Sequence, residues 1–554
     1  MDKPNKIVII GLDGATWDVI HPLISKGKLP AFRRLIENGS YGNLNSTIPP
    51  LSAPAWTSAF TGVNPGKHNI FDFFTIRNDT YELRNVTSND RKVPAIWNIL
   101  DTYKMTSGIF NIPMTYPPEA VNGFMVAGLG TPDTNSNFIY PLFLKEELKR
   151  YLHGLHFSID VGTIMGGKED AFLDELYKVT NMQEKAVHYL YNKYQPDLFM
   201  AVFDELDRLQ HFFWRHMKTN HPLYDPKKSQ KYQDAIEDYY QHLDIVIKRF
   251  LDALSEDTTV IIVSDHGFGG LHKDFYVNKY FHDIGILKLK PGPPVAFNTE
   301  LLRTIKTTLK KFTYRMGIGQ WVDRIVPDWL RLKSLTPKVD TGLGNIDWQQ
   351  TKAYFCSLSG QNIWINLKDR QPEGIIEQGK EYESLRDQLV EKLYAIKDPE
   401  TSQGIIRKVY KREEVYIGNF VSNAPDLIVE MADGYVMQIG LASEILMPAT
   451  QYKLYRSGSH RQHGIFIVCG KDIKRNYLIH NAEVIDIVPT VLCLLDKQIP
   501  NYIDGKVLTS IFDKWLNRVE YKAMYGKRTD VIHYVSEDEE AKIMERLKGL
   551  GYMG

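Results

Sequence analysis

The sequence predicts an α/β fold: a doubly wound, mostly parallel central sheet with helices on both faces, plus a helical insertion or cap. Three observations carry this expectation. Short apolar runs rich in β-branched residues recur along the chain. Long amphipathic segments separate them, and strands alternating with helices build parallel sheets. Acidic and histidine residues follow several of the runs directly, where open α/β sheets place their ligands.

Residues 7–12 (IVIIGL) form the first run, and its composition suits a strand buried on both faces. A helical stretch follows to about residue 37. Further strands are expected at 105–110, 124–126, 198–203 and 260–263, with helices at 171–194 and 230–254 between them. The character changes near 289, where Pro291-Gly-Pro-Pro294 breaks the chain. Residues 299–313 then set Arg303, Lys306, Lys310 and Lys311 beside Leu301, Leu302, Ile305, Leu309 and Phe312. This basic amphipathic helix reads as an insertion packed on the core, or as a lid or anionic-lipid contact. Strand and helix signals resume after Asp347-Trp348, at 353–356, 363–367, 382–396, 426–431 and 465–469. The reading divides the chain into a catalytic core (1–289 and 347–515), a helical basic insert (290–346) and a C-terminal helical tail (516–554).

Composition narrows the function. Lys+Arg and Asp+Glu both number 67, so the formal charge is zero and an electrostatically driven binder of nucleic-acid polymers is not expected. Cys356, Cys469 and Cys493 lie far apart without a CxxC pair, so no disulfide framework is implied. The first apolar run is too short for a signal-peptide core, and no stretch approaches membrane-spanning length. A cytoplasmic protein with no transmembrane segment is expected.

Five short motifs carry chemistry. Asp265-His266 follows the run 260–263 and precedes Gly267-Phe-Gly-Gly270, whose glycines are read as a sharp turn. A carboxylate and an imidazole side by side can grip one divalent cation. Asp207 and His211 have i, i+4 spacing, which puts both on one face of a helix. A surface ion pair would share that spacing, and Asp204 is a substitute ligand or supporting acceptor. His460, in Gly458-Ser-His-Arg461, completes that pair if its glycine and serine form an exposing turn, with His463 as the rival. Asp13-Gly14 ends the first strand, a placement common in ordinary turns. Ser52 stands among prolines at the start of an expected helix, where it is either a rigidly held nucleophile or a simple helix cap. Thr57 and Ser58 are the competing hydroxyls.

Together these motifs resemble the alkaline phosphatase superfamily, in its type I phosphodiesterase/nucleotide pyrophosphatase branch. The carrying segments are Ile9-Ile-Gly-Leu-Asp-Gly14, Ser52-Ala-Pro-Ala-Trp-Thr-Ser58, Pro65-Gly-Lys-His68, the Asp207/His211 pair, Ser264-Asp-His-Gly267 and Gly458-Ser-His460, with Ile485-Asp-Ile-Val-Pro-Thr490 near the end. Stretches around Asp207, Asp347 and Leu550 resemble a subgroup described only as phosphohydrolases or phosphomutases. The resemblance implies two divalent cations, zinc before manganese or iron. Asp13, Asp265 and His266 would hold one beside Ser52; Asp207, His211 and His460 would hold the other. It also implies a phosphoseryl intermediate on Ser52 that water then cleaves. Two departures stand out. Ser52 replaces the threonine common in the branch, and Phe73 stands where many members carry a phosphoryl-binding asparagine. Trp56 follows Ser52-Ala-Pro-Ala where a sulfatase would have arginine, which argues against sulfatase chemistry.

The expected activity is hydrolysis of a phosphodiester or phosphomonoester, with a phosphomutase as the alternative enzyme. A non-catalytic scaffold or anionic-lipid binder is the alternative of another class. Small-molecule and lipid- or glycan-linked phosphate esters are all compatible substrates.

Overall fold

The computed structural model describes residues 6–77, 80–157, 168–291, 343–357, 360–449, 456–514, 520–523 and 535–549. The insert read at 290–346 lies almost wholly outside these residues, as does part of the tail read at 516–554.

Among the described residues, nine strands form the central sheet: β1 (Lys6–Leu12), β2 (Gly39–Asn45), β3 (Ser107–Ile112), β4 (Gly123–Ala127), β5 (Ile139–Tyr140), β6 (Leu198–Phe203), β7 (Thr258–Val263), β8 (His463–Cys469) and β9 (Tyr477–Glu483). Their order is β9-β2-β8-β7-β1-β6-β3-β4-β5. β1 lies at the centre, parallel to β6 and β7, with Ile9 opposite Met200 on one side and Ile261 on the other. Only β5 and β8 pair antiparallel with their neighbours, so the sheet is mixed but mostly parallel.

Alternation along β1 explains why helices cover both faces. Val8, Ile10 and Leu12 enter one core with the helices Glu169–Tyr194 and Ala235–Asp252. Ile7 and Ile9 enter the other with Ser52–Thr61 and Ile487–Leu494. A run apolar at every position is what a strand buried on both faces requires.

The strands between Asp347 and Ala432 do not continue this sheet. Ala353–Tyr354, Asn362–Ile365, Leu427–Met431 and Ile406–Lys411 form a separate antiparallel sheet in that order, with the helix Lys380–Tyr394 against it. Residue 463 returns the chain to the central sheet. At the end, the helix Glu537–Gly549 buries Ile543 and Leu547 in the first core, while Glu539 accepts from Tyr116 and Glu540 pairs with Arg77.

Candidate metal centre

The structure brings the seven residues singled out in the sequence into one buried cluster at the carboxyl end of the central strands. Asp13 follows β1, and Asp265 and His266 follow β7. Asp207 and His211 sit on the first turns of the helix Glu205–Met217 after β6. Ser52 opens the helix Ser52–Thr61.

His460 arrives by a route that the sequence reading does not foresee. Neither glycine-containing run is a turn. Gly267–Gly270 and Gly458–Arg461 are strands paired antiparallel, and their register sets Phe268 opposite His460. The ribbon thereby carries His460 over His266, with the two rings stacked 3.7 Å apart. Ser457 stitches it to the helix below, donating its N–H to His211 O at 2.7 Å. The rival His463 is exposed and bonds Asn45.

The distances are those of a ligand cluster. His266 Nε2 lies 3.4 Å from both Asp13 Oδ1 and Asp265 Oδ2. Asp207 lies 3.4 Å from His211 Nε2 through Oδ2 and 3.2 Å from His460 Nε2 through Oδ1. Two sets have their donor atoms mutually within 4.8 Å: Asp13/Asp265/His266 and Asp207/His266/His460. His266 therefore sits between the two groups, with His211 at the outer edge of the second.

Backbone carbonyls set the imidazole tautomers. Nδ1 of His266, His211 and His460 faces Gly267 O, Gly458 O and Pro50 O at 3.0, 2.9 and 3.0 Å. A carbonyl only accepts, so each Nδ1 carries a proton, and in the neutral ring Nε2 presents a lone pair to the cluster. This is the arrangement that supporting contacts impose on metal-binding histidines. His211 Nε2 and His460 Nε2 stand 3.1 Å apart. Two lone pairs at that separation repel unless a proton or a metal cation lies between them.

The carboxylates carry the same strain. Burial, then the neighbouring charges of Asp265 and Asp207, pushes the Asp13 carboxyl well above its ordinary range. Burial and the Asp207 charge push Asp265 up to about 8. Among the described residues, no well-formed hydrogen bond reaches Asp13 Oδ1 or either oxygen of Asp265. Such oxygens beside imidazole lone pairs fit divalent cations, and the mixed oxygen and nitrogen donors suit zinc, manganese or iron.

Ser52 Oγ lies 3.1 Å from His266 Nε2, at the edge of the first donor set. Leu51, not Ser52, holds the helix-cap position. The competing hydroxyls are engaged: Thr57 donates to Ala53 O at 2.7 Å, and Ser58 bonds His68 at 3.0 Å.

Sequence reasoning missed Trp56. Its Nε1–H donates to Asp13 Oδ2 at 2.9 Å and fixes that carboxylate. A Cβ at position 11 would lie 2.4 Å from the Trp56 ring, so Gly11 in β1 is what admits the indole. Other charged and histidine residues near the motifs have partners within the protein. Asp204 pairs with Arg208 at 2.5 Å and accepts from Asn111. His221 bonds Ser457 O, His216 bonds Ser229, and Lys67 reaches Asp504. The phosphoryl-binding asparagine of the branch has no counterpart at Phe73, whose side chain is buried in the core.

The mixed central sheet with helices on both faces is an alkaline-phosphatase-like α/β fold. The chain belongs to the type I phosphodiesterase/nucleotide pyrophosphatase family, whose model matches residues 7–444. It is accordingly an enzyme acting on phosphate esters. Among solved structures it is similar to phosphonoacetate hydrolase from Sinorhizobium meliloti 1021 in complex with phosphonoformate, at 14% identity over 89% of this chain and 95% of that one, TM-score 0.51. It is also similar to human ectonucleotide pyrophosphatase/phosphodiesterase 5, at 13% identity over 92% of this chain and 100% of that one, TM-score 0.50. At these identities the likeness concerns the fold alone. A search of curated proteins finds no match. Among the described residues, no helix is long and apolar enough to cross a membrane.

Proposed function

We propose that the protein hydrolyses phosphate esters in two steps with Ser52 as nucleophile, at a centre built for two divalent cations. Asp13, Asp265 and His266 would hold one cation, and Asp207, His211 and His460 the other, zinc being the first choice for such donors. Bound there, the cations would offset the buried carboxylates and stabilise the charge that develops on the attacking and leaving oxygens. Ser52 attacks phosphorus and the ester alcohol departs, leaving phosphoserine. Water then cleaves the Ser52–phosphate bond and restores the hydroxyl. The N-terminus of the Ser52–Thr61 helix favours negative charge next to the reacting phosphoryl group. Trp56, one turn along, keeps Asp13 in place.

One observation carries this reading: the Ser52 hydroxyl alone of the three candidates faces the donor cluster. Ser52→Ala and Thr57→Ala are to be assayed on phosphomonoesters, phosphodiesters and sulfate esters with zinc and with manganese. Ser52→Ala should lose on the order of 10³-fold or more in kcat while keeping both metals. Thr57→Ala should retain most activity. The opposite pattern refutes Ser52 as the nucleophile.

A further inference from the structure

A cavity of about 720 Å³ lies beyond the small cleft that reaches His460. That volume lies within the roughly 300–1,000 Å³ typical of small-molecule sites. One wall is the hairpin of strands Phe74–Ile76 and Leu83–Asn85; the other is the small antiparallel sheet with the turn Val421–Asn423. One stretch of chain lines both spaces. Gly360 and Gln361 border the small cleft at His460, and Asn362 borders the cavity. A Cβ at position 360 would stand 2.5 Å from Asp72 Oδ2, so glycine lets the chain pass closely between the two. Asp72, which accepts from Ser357, belongs to the cavity wall.

The lining decides what fits. The lining carries three arginines, Arg77, Arg84 and Arg370, and three aspartates, Asp72, Asp90 and Asp369, so its formal charge cancels. Each guanidinium is also committed to a carboxylate. Arg84 grips Asp90 at 2.8 and 3.1 Å, Arg370 grips Asp426 at 2.8 and 2.6 Å, and Arg77 meets Glu540 at 2.6 Å. Such a wall has no surplus positive charge to hold a second phosphate. What remains is amide and aromatic: Asn69, Asn362 and Asn423 beside Phe74 and Trp364. Asn362 holds its amide against Asp72, donating through Nδ2 at 3.4 Å. Neutral charge, amide donors and acceptors, carboxylate acceptors and aromatic surface together suit a ring bearing many hydroxyls.

We propose that this cavity binds the uncharged, polyhydroxylated part of the substrate, a sugar, while the phosphoryl group occupies the neighbouring metal centre. The inference rests on the hydrolase reading above, and the test separates the two. The metal-loaded full chain is titrated calorimetrically with glucose 1-phosphate and with ethyl phosphate, which carries a phosphoryl group and no sugar. Glucose 1-phosphate should bind about tenfold tighter or better. Ser422→Trp, which fills the cavity from an exposed turn, should remove that advantage. Thr75→Trp fills it from the hairpin wall and replaces Ser422→Trp if that variant does not fold. Equal affinity for the two esters overturns the proposal, as does an advantage that survives a folded filling variant. Tighter binding of adenosine monophosphate than of glucose 1-phosphate overturns it in favour of a base-binding cavity. Turnover is read separately. Sugar-dependent binding without hydrolysis leaves the cavity assignment standing and removes the hydrolase reading. Hydrolysis with no preference for the sugar ester removes the cavity assignment alone.

Discussion

Replacing Trp56 with phenylalanine tests the proposed metal centre without touching a proposed ligand. The indole is 2% exposed, and its N–H is aimed at Asp13 Oδ2 at 2.9 Å. Phenylalanine keeps an aromatic ring on Gly11 but has no donor. A hydrogen bond to a charged acceptor contributes about 1.5–3 kcal/mol. At roughly 1.4 kcal/mol per decade this is about 10–100-fold in affinity. Groups that orient metal ligands in other proteins have effects of similar size, about 10–100-fold. Trp56→Phe should therefore weaken one cation by that factor and leave the other, on the Asp207 side, near its original affinity. The smaller ring leaves a void beside β1 and costs roughly 1–3 kcal/mol of stability. Circular dichroism establishes that the variant is folded, and competition with a fluorescent zinc chelator gives the two affinities. If the folded variant holds both ions as tightly as the parent, Asp13 is not a ligand or Trp56 does not orient it, and the donor set needs redrawing.

Three other outcomes are expected. Chelation should abolish turnover and lower the melting temperature, because it returns Asp13, Asp265 and Asp207 to a shared buried space without a neutralising charge; an unchanged melting curve counts against bound cations. Deleting the C-terminal helix from Glu537 onward should cost about 3–6 kcal/mol for two buried side chains, Ile543 and Leu547, and denaturant titration measures it. Asp274 has its carboxyl raised from 3.8 to about 6 by burial, against the opposing pull of Arg456 and the Gln438 hydrogen bond, so the folded state holds a proton that the unfolded state has released between those values. Stability then falls as pH rises through that window, and Asp274→Asn should gain stability at neutral pH, by at most about 3 kcal/mol, and nothing below about pH 4; an equal gain at both pH values refutes the reasoning.

What the sequence discloses is local, and what it conceals needs a partner far along the chain. β1 is legible because a strand buried on both faces is apolar at every position, and Ile7 to Ile10 show it. The pairing of Asp207 with His211 is legible because four residues are one helical turn. The strand Gly267–Gly270 is not legible, since three glycines give no alternation to read and their partner lies about 190 residues away. The separate sheet of 353–431 fails for a related reason: periodicity marks a strand but does not say which sheet receives it. The same limit hides Trp56. Its place one turn after Ser52 is visible, but its bond to Asp13 crosses 43 residues and depends on a missing side chain at Gly11. A glycine within an apolar strand and a tryptophan within a helix of small residues each look unremarkable alone. Their fit is also what joins the Ser52 helix to the Asp13 strand. The element that would supply the nucleophile is thereby held against the element that would supply a metal ligand, and a change at Gly11 should disturb both. Gly11→Ala would drive a methyl group into the indole, so its effect should appear in metal affinity and in the Ser52 step together, whereas damage confined to β1 packing would lower stability alone.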